Sequence, residues 1–395
     1  MSTAENEVSE KQLEEVEADT FKFVSVTIPE GLKEGDTFTF KINNDEDEME
    51  MVVPEGAKPG ETIEVLLADE EDDEILDDIS VSVALHPSVD AMITVSPFIL
   101  DMVDEEKKAD NDNDDDEEDG TNMMAWPAGV YLSQFLSTPN AKPIIDGKTS
   151  FLEIGSGLGV AGLGLISALN RDADAGNKKE VVLTDLPCAQ TLLQANYEVN
   201  KLRVLKQDNV NVNITSLNWS DDESKKAFGE STQDKKFDVI IGSDLLYEAS
   251  AESSKNLSSV MTSLLNPDSG IIIFSTRWRK ADDERVFFEN MESSGFEFVL
   301  ASEYLTKLGH APTISEDAEE EAVIEIFENN LSWKEFGSED SEKSKKYFSE
   351  TKVKVGENMV PIGEIEENNI DDMEEEDFDE YEMRYVQIYV GSKSG

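Results

Sequence analysis

The residues of this chain best placed to do chemistry are three acid-bearing stretches, each at the end of an apolar run. The first is F-L-E-I-G-S-G-L-G-V-A-G, Phe151 to Gly162, where a hydrophobic run ends near Glu153 and turns through Gly155, Ser156, Gly157 and Gly159 into an apolar helix. Glycines there let the backbone approach a ligand closely, and the N–H groups that open the next helix suit an anionic or carboxylate end. The second is V-V-L-T-D-L, in which Asp185 ends a strand and Leu186 follows. An ionised carboxylate accepts at two oxygens and so matches the paired hydroxyls of a ribose; a solvated strand-end Asp is an equally good account of the residue taken alone. The third is F-D-V-I-I-G-S-D-L-L-Y-E, Phe237 to Glu248, a buried strand that ends in Ser243 and Asp244 with Tyr247 three residues on. G-L-G-V-A-G also satisfies the G-x-G-x-x-G pattern of nicotinamide enzymes. Asp185, however, lies farther from the glycines than the usual spacing of about 20 residues, and those enzymes do not need the Asp244–Tyr247 pair.

With these motifs on one chain, the stretch from Met123 to Ala311 and the last strand resemble the seven-strand protein methyltransferases of the family-16 lysine-methyltransferase group. The resemblance is carried in order by Trp126 in A-W-P-A-G, Glu153 to Gly159 as E-x-G-x-G-x-G, the strand-end Asp185, L-N-W at Leu217 to Trp219, and D-x-x-Y at Asp244 to Tyr247. It implies S-adenosylmethionine as cofactor. Glu153, Gly155, Ser156 and Gly157 would line its methionine part, Asp185 would hold the ribose, Leu186 would lie under the adenine and Trp219 would border it. Trp126 and Ser243 would close the pocket. Large aromatics are more often core than site, which leaves Trp219 evenly balanced between the two. A sulfonium methyl needs little acid–base help, so the work is to place a neutral nucleophile in line with it. A lysine amine must first lose its proton, and Asp244 and Tyr247 would position that amine. The expected activity is methyl transfer to a protein lysine. Transfer to a small molecule is the alternative within enzymes, and a non-catalytic interaction protein is the alternative outside them.

These residues need a scaffold, and the pattern supplies one. From Met123 to Ala311 the chain alternates helix-like and strand-like runs, which argues for an α/β domain with a parallel sheet covered on both faces and ligands at the carboxyl ends of its strands. Helices are expected over A-W-P-A-G-V-Y-L-S-Q-F-L, V-A-G-L-G-L-I-S-A-L, A-Q-T-L-L-Q-A-N-Y-E-V-N, Asn256–Leu265 and Asp283–Ser293. Strands are expected over F-L-E-I, E-V-V-L-T-D, V-N-I-T-S-L, F-D-V-I-I-G-S-D, G-I-I-I-F-S-T and F-E-F-V-L-A-S-E-Y, with M-R-Y-V-Q-I-Y-V returning to the same sheet. The organisation read from the sequence is a disordered tail over 1–20, a β-repeat module over 21–67, a strand pair with acidic linkers over 68–121, the main domain over 122–311, an acidic, disordered insertion over 312–381 and the last strand over 382–395. The module carries an internal repeat, P-E-G-L-K-E-G-D-T-F-T-F from Pro29 and P-E-G-A-K-P-G-E-T-I-E-V from Pro54. Pro and Gly recur between strand-like runs in both copies, as turns require. This short stretch is similar to the β-rich substrate-binding repeats of J-protein co-chaperones; an interaction or packing module is the plainer reading.

Composition narrows the partners. Across 395 residues, 33 Lys and Arg face 89 Asp and Glu, a formal net charge of -56. Such a field repels nucleic acid and gathers basic proteins, possible chaperone-type clients among them, to a degree that salt reduces. Solvation of disordered acidic runs accounts for much of the charge without any partner. The sole cysteine, Cys188, forms no intrachain disulfide. With neither a secretory signal nor a membrane-length apolar run, the expectation is a cytoplasmic or nuclear protein. His86 and His310 cannot supply a repeated Cys/His metal site. D-N-D-N-D-D from Asp110 fails as a calcium loop, because Asp115 stands where Gly is required and Thr121 where Glu is. Neither a phosphate-binding G-x-x-x-x-G-K-[ST] loop nor a G-x-S-x-G elbow occurs.

Overall fold

A computed structural model describes short stretches between residues 22 and 95 and then residues 124–394, apart from 172–177, 204–209, 248–249, 311–330, 339, 357 and several positions between 366 and 383. The expected tail over 1–20 and the acidic runs over 68–78 and 104–119 lie outside the described residues.

The chain divides into two compact units. In the first, β1 (Lys22–Thr27) pairs antiparallel with β4 (Thr62–Leu67), and β2 (Thr37–Lys41) with β3 (Glu48–Val52). Each repeat copy thus ends in a strand, T-F-T-F in β2 and T-I-E-V in β4. Gly31 and Gly60, one in each copy, take φ of 93° and 79°, a region that L side chains rarely occupy.

The second unit begins with an antiparallel pair, β5 (Val81–His86) and β6 (Val89–Val95). Ile93 and Val95 are fully buried in the same core as Leu132, Phe135 and Leu163. The pair therefore belongs to the body of the main domain. Its centre is a seven-stranded sheet in the order β12-β15-β11-β10-β7-β8-β9, built from β7 (Ser150–Ile154), β8 (Lys179–Asp185), β9 (Val210–Ser216), β10 (Val239–Ser243), β11 (Ile271–Arg277), β12 (Phe296–Leu300) and β15 (Val386–Lys393). The five from β7 to β11 run parallel, and β15 lies antiparallel between β11 and β12. The last strand returns to the main sheet as expected.

Alternation along the strands divides the core in two. Phe151, Val181, Leu183, Val239, Ile241 and Ile273 face one cluster with α1 (Pro127–Ser137), α3 (Val160–Arg171) and α4 (Gln190–Arg203). Leu152, Ile154, Val182, Ile240, Ile272 and Phe274 face the other, with α6 (Ala251–Leu264) and α7 (Ala281–Ser293). A pleat sends successive side chains to opposite faces, so a strand apolar at every position must be covered on both. A four-residue helix, α2 (Lys142–Ile145), precedes β7.

Three elements differ from expectation. A helix, α5 (Asp222–Thr232), stands between β9 and β10. It buries only Phe228, so it leaves no apolar period in the sequence; its start is set by Asp221, whose carboxylate accepts from the N–H groups of Glu223 and Ser224. The strand expected through Tyr304 stops at Leu300, and α8 (Ala301–Lys307) follows, burying Ala301 and Leu305 one helical turn apart. The insertion over 312–381, expected to be disordered, carries α9 (Glu342–Glu350) and an antiparallel pair, β13 (Lys352–Val355) and β14 (Asn358–Pro361). The reason is aromatic packing. Trp333 stacks on Phe288 with ring centres 5.4 Å apart, and Phe336 stacks on Trp278 at 5.3 Å. Leu331, Trp333 and Phe336 are at most 5% exposed.

Candidate active site

The expected site residues lie after the carboxyl ends of β7, β8, β9 and β10 and at the start of α1. After β7 the backbone takes φ of 64° at Gly155, 52° at Gly157 and 88° at Gly159. A Cβ at Gly155 would lie 2.4 Å from the Leu245 side chain, and one at Gly159 would lie 2.7 Å from that of Leu193. Both the backbone conformation and the space thus require glycine. Three hydrogen bonds fasten this turn to β8. The Gly157 N–H donates to Asp185 Oδ2 at 2.6 Å, the Ser156 N–H to the Thr184 carbonyl at 2.9 Å, and the Thr184 hydroxyl to the Glu153 carbonyl at 2.6 Å.

Asp185 also accepts the Leu186 N–H at 2.7 Å, and its own carbonyl takes the Leu217 N–H at 2.9 Å, which fixes the L-N-W segment beside it. It is 9% exposed, and burial raises its pKa against the pull of the two N–H donors. Leu186 is exposed. Trp219 is half-buried, and its ring edge lies 3.7 Å from where a Gly155 side chain would begin. The ring therefore borders the glycine turn.

Glu153 is the least comfortable group in the site. It is 1% exposed, and neither carboxyl oxygen closes a hydrogen bond, nor does the neighbouring Ser156 hydroxyl. Burial pushes its pKa from 4.5 to about 8; the nearby Ser156 hydroxyl pulls it back, the Asp185 charge adds to the rise, and the Gly162 N–H pulls it back again. A Cβ at Gly162 would stand 2.3 Å from Glu153 Oε2, so the helix behind the turn is small-sided to make room for this acid. A buried carboxyl beside a glycine cradle, approached by the Ser156 hydroxyl and the Gly162 N–H without a closed hydrogen bond to either, suits a ligand that brings a donor or a cation.

The remaining expected residues lie at the end of β10. Ser243 Oγ sits 3.3 Å from where a Cβ of Gly129 would be, which brings α1 against the end of this strand. Asp244 follows in the left-handed region, at φ 56°, and is 5% exposed. Both its oxygens are held by the Arg279 guanidinium: Nη1 donates to Oδ1 at 2.8 Å and Nη2 to Oδ2 at 2.6 Å. The guanidinium carbon lies 5.6 Å from the ring centre of Trp126, the half-buried N-cap of α1. Tyr247 is 39% exposed on this edge. Among the basic residues after β11, the structure thus separates roles. Trp278 is core, its indole N–H donating to Tyr389 Oη at 3.2 Å, whereas Arg279 enters the site.

Glu284 went unnoticed in the sequence. From the first turn of α7 it accepts the Arg279 backbone N–H with both oxygens, at 2.9 and 3.1 Å. Burial pushes its pKa from 4.5 to about 7 against the donor and the charge of Arg279. The only signal was the acidic run Asp282–Glu284 at a helix start. Among the described residues no group of three His, Cys, Asp or Glu side chains is placed to hold a metal, and no helix is long and apolar enough to cross a membrane.

Residues 106–294 match the profile of the lysine methyltransferase family, just under half of the chain. No curated protein matches. Solved structures with a similar chain path include the trans-methyltransferase CalH in complex with SAH, 20% identical over 44% of this chain and 54% of that one with a TM-score of 0.31. Another is a TehB-like SAM-dependent methyltransferase from Corynebacterium glutamicum, 13% identical over 56% and 94% with a TM-score of 0.29. The glycopeptide N-methyltransferase MtfA complexed with SAM is 17% identical over 34% and 50%, TM-score 0.25. The chain spans about half the length of CalH.

Proposed function

We propose that this chain, whose residues 106–294 match the lysine methyltransferase family, is an S-adenosylmethionine-dependent methyltransferase that transfers the methyl group to a lysine side chain of a protein. The observation that carries the cofactor half is the glycine turn tied to Asp185 beside the unpaired, buried Glu153. Gly155, Ser156 and Gly157 would hold the methionine part, with Glu153 receiving its ammonium. Asp185 would take the ribose, and Leu186 and Trp219 would take the two sides of the adenine. Trp126 and Ser243 would close the pocket from α1 and β10. When bound, the cofactor supplies a methyl group on a sulfonium that is already a good leaving group.

The chain's own residues then have to bring up a neutral amine and align it. Asp244 and Tyr247 would receive that amine. Asp244 stands there as half of an ion pair with Arg279, so the local field does not favour an ammonium over the free amine. Half-buried Trp126 and the apolar edge beside it lower hydration around the nitrogen, in the same direction. A protein acceptor, rather than a small molecule, is supported by the family of the domain and by the acidic charge of the chain, which gathers basic partners.

The experiment has two stages. Calorimetric titration with S-adenosylhomocysteine, with a nicotinamide dinucleotide in parallel, should show binding of the former alone. Transfer of labelled methyl from S-adenosylmethionine into lysate, followed by mass spectrometry of the labelled protein, should place the label on lysine Nζ. Label found only on small molecules, or on another protein atom, overturns the lysine assignment; binding of neither ligand turns the reading toward an interaction protein.

A further inference from the structure

We infer that Arg279 is a positioning residue of the transfer reaction, setting the plane and charge of Asp244 where the acceptor amine arrives. The inference rests on the methyltransferase reading above and goes beyond it, because Arg279 belongs to none of the motifs that carry that reading.

The geometry is that of a strut joined to four elements. The guanidinium holds Asp244 at the end of β10 through two parallel hydrogen bonds, 2.8 and 2.6 Å, and Nη1 also donates to the Arg277 carbonyl at the end of β11, 3.1 Å away. The Arg277 N–H gives Asp244 Oδ1 a further bond of 3.2 Å. The guanidinium lies over Trp126 of α1, and the backbone N–H is anchored by buried Glu284 of α7. Arg279 also lines an open cleft of about 510 Å³ with Lys280, Asp283, Phe348 and Tyr385. The Arg277 N–H of β11 reaches Oδ1 alone. The planar fork holds both oxygens and so sets the plane of the carboxylate, which a lysine in its place cannot do, because an ammonium is a point charge. The fixed positive charge has a second effect. It repels an incoming ammonium and tolerates the free amine, the form that accepts the methyl.

The test compares the wild-type chain with Arg279→Ala, Arg279→Lys and Asp244→Asn, each measured for S-adenosylhomocysteine affinity, thermal midpoint and labelled methyl transfer into lysate protein. Arg279→Ala should lose on the order of 100-fold in transfer and Arg279→Lys on the order of 10-fold, both with cofactor-product affinity within about 3-fold of wild type. Guanidinium chloride at about 20 mM, far below denaturing concentrations, should restore part of the loss in Arg279→Ala and none in Asp244→Asn. If Arg279→Ala fails to fold, Arg279→Lys carries the comparison. Transfer at the wild-type rate in the Arg279 variants, a matching loss of S-adenosylhomocysteine affinity, or equal guanidinium rescue of Asp244→Asn overturns the inference. A wild-type chain that binds no S-adenosylhomocysteine or labels no protein overturns the reading beneath it, a result that the wild-type arm shows by itself.

Discussion

Glu153 should release a proton when the cofactor product binds. Its pKa is pushed up to about 8, chiefly by burial, so at pH 7 the free protein holds it about nine-tenths protonated. A cationic group delivered next to the two unpaired carboxyl oxygens favours the ionised form, and the displaced proton goes to the buffer. Calorimetric titration of S-adenosylhomocysteine at pH 7 in buffers of differing ionisation enthalpy should give a slope near 0.9 proton released per ligand, an order-of-magnitude figure from that pKa. In Glu153→Gln the slope should fall close to zero. The same group makes a separate claim on stability. The folded pKa lies above the unfolded value of 4.5, so between the two the native state keeps a proton that the unfolded chain has lost, and stability falls as pH rises. At about 1.4 kcal/mol per pH unit, Glu153 should cost the wild type about 3 kcal/mol between pH 5.5 and 7.5, a loss absent from Glu153→Gln. Urea unfolding of both proteins at the two pH values measures it. A wild-type proton slope near zero, or the same slope in Glu153→Gln, would refute the assignment of Glu153 to the ligand's cation.

Two further outcomes bear on the site and its scaffold. Asp185→Ala should weaken S-adenosylhomocysteine at least about 10-fold and also lower stability by about 1–3 kcal/mol, because the Gly157 and Leu186 N–H groups lose their acceptor; a folded variant that binds as tightly as wild type removes Asp185 from the ribose. Trp333→Ala should cost about 3–5 kcal/mol in the global unfolding transition, since the ring stacks on Phe288 in the core, and a loss under about 1 kcal/mol would mean that the 331–364 stretch is not part of the fold's stability.

The parts of this molecule legible in its sequence are those whose physics is local. The strands β7, β8, β10 and β11 announce themselves because a strand covered on both faces must be apolar at successive positions, and Phe151, Leu152, Val239 and Ile240 are. The turn after β7 is legible because its positive φ values at Gly155, Gly157 and Gly159 favour glycine, and three glycines stand there in the sequence. Where structure depends on partners far along the chain, the signal vanishes. Helix α5 buries one side chain and α8 one turn, too little for a period to emerge. The stretch 331–364 looks like solvated acid because its composition is averaged, yet Leu331, Trp333, Phe336, Val353, Val355 and Ile362 are buried in it. The edge at Asp244 shows the same limit at the level of chemistry. Asp244 and Tyr247 are visible as a strand-end pair, but the partner of Asp244 lies 35 residues on and that partner's anchor a further five. Nothing in R-W-R-K distinguishes the arginine that pairs with Asp244 from the one two residues before it. A buried bidentate pair is nonetheless costly to break, about 3–5 kcal/mol when one partner is removed, so the Asp244–Arg279 contact constrains the end of β10 more firmly than either residue's sequence setting suggests.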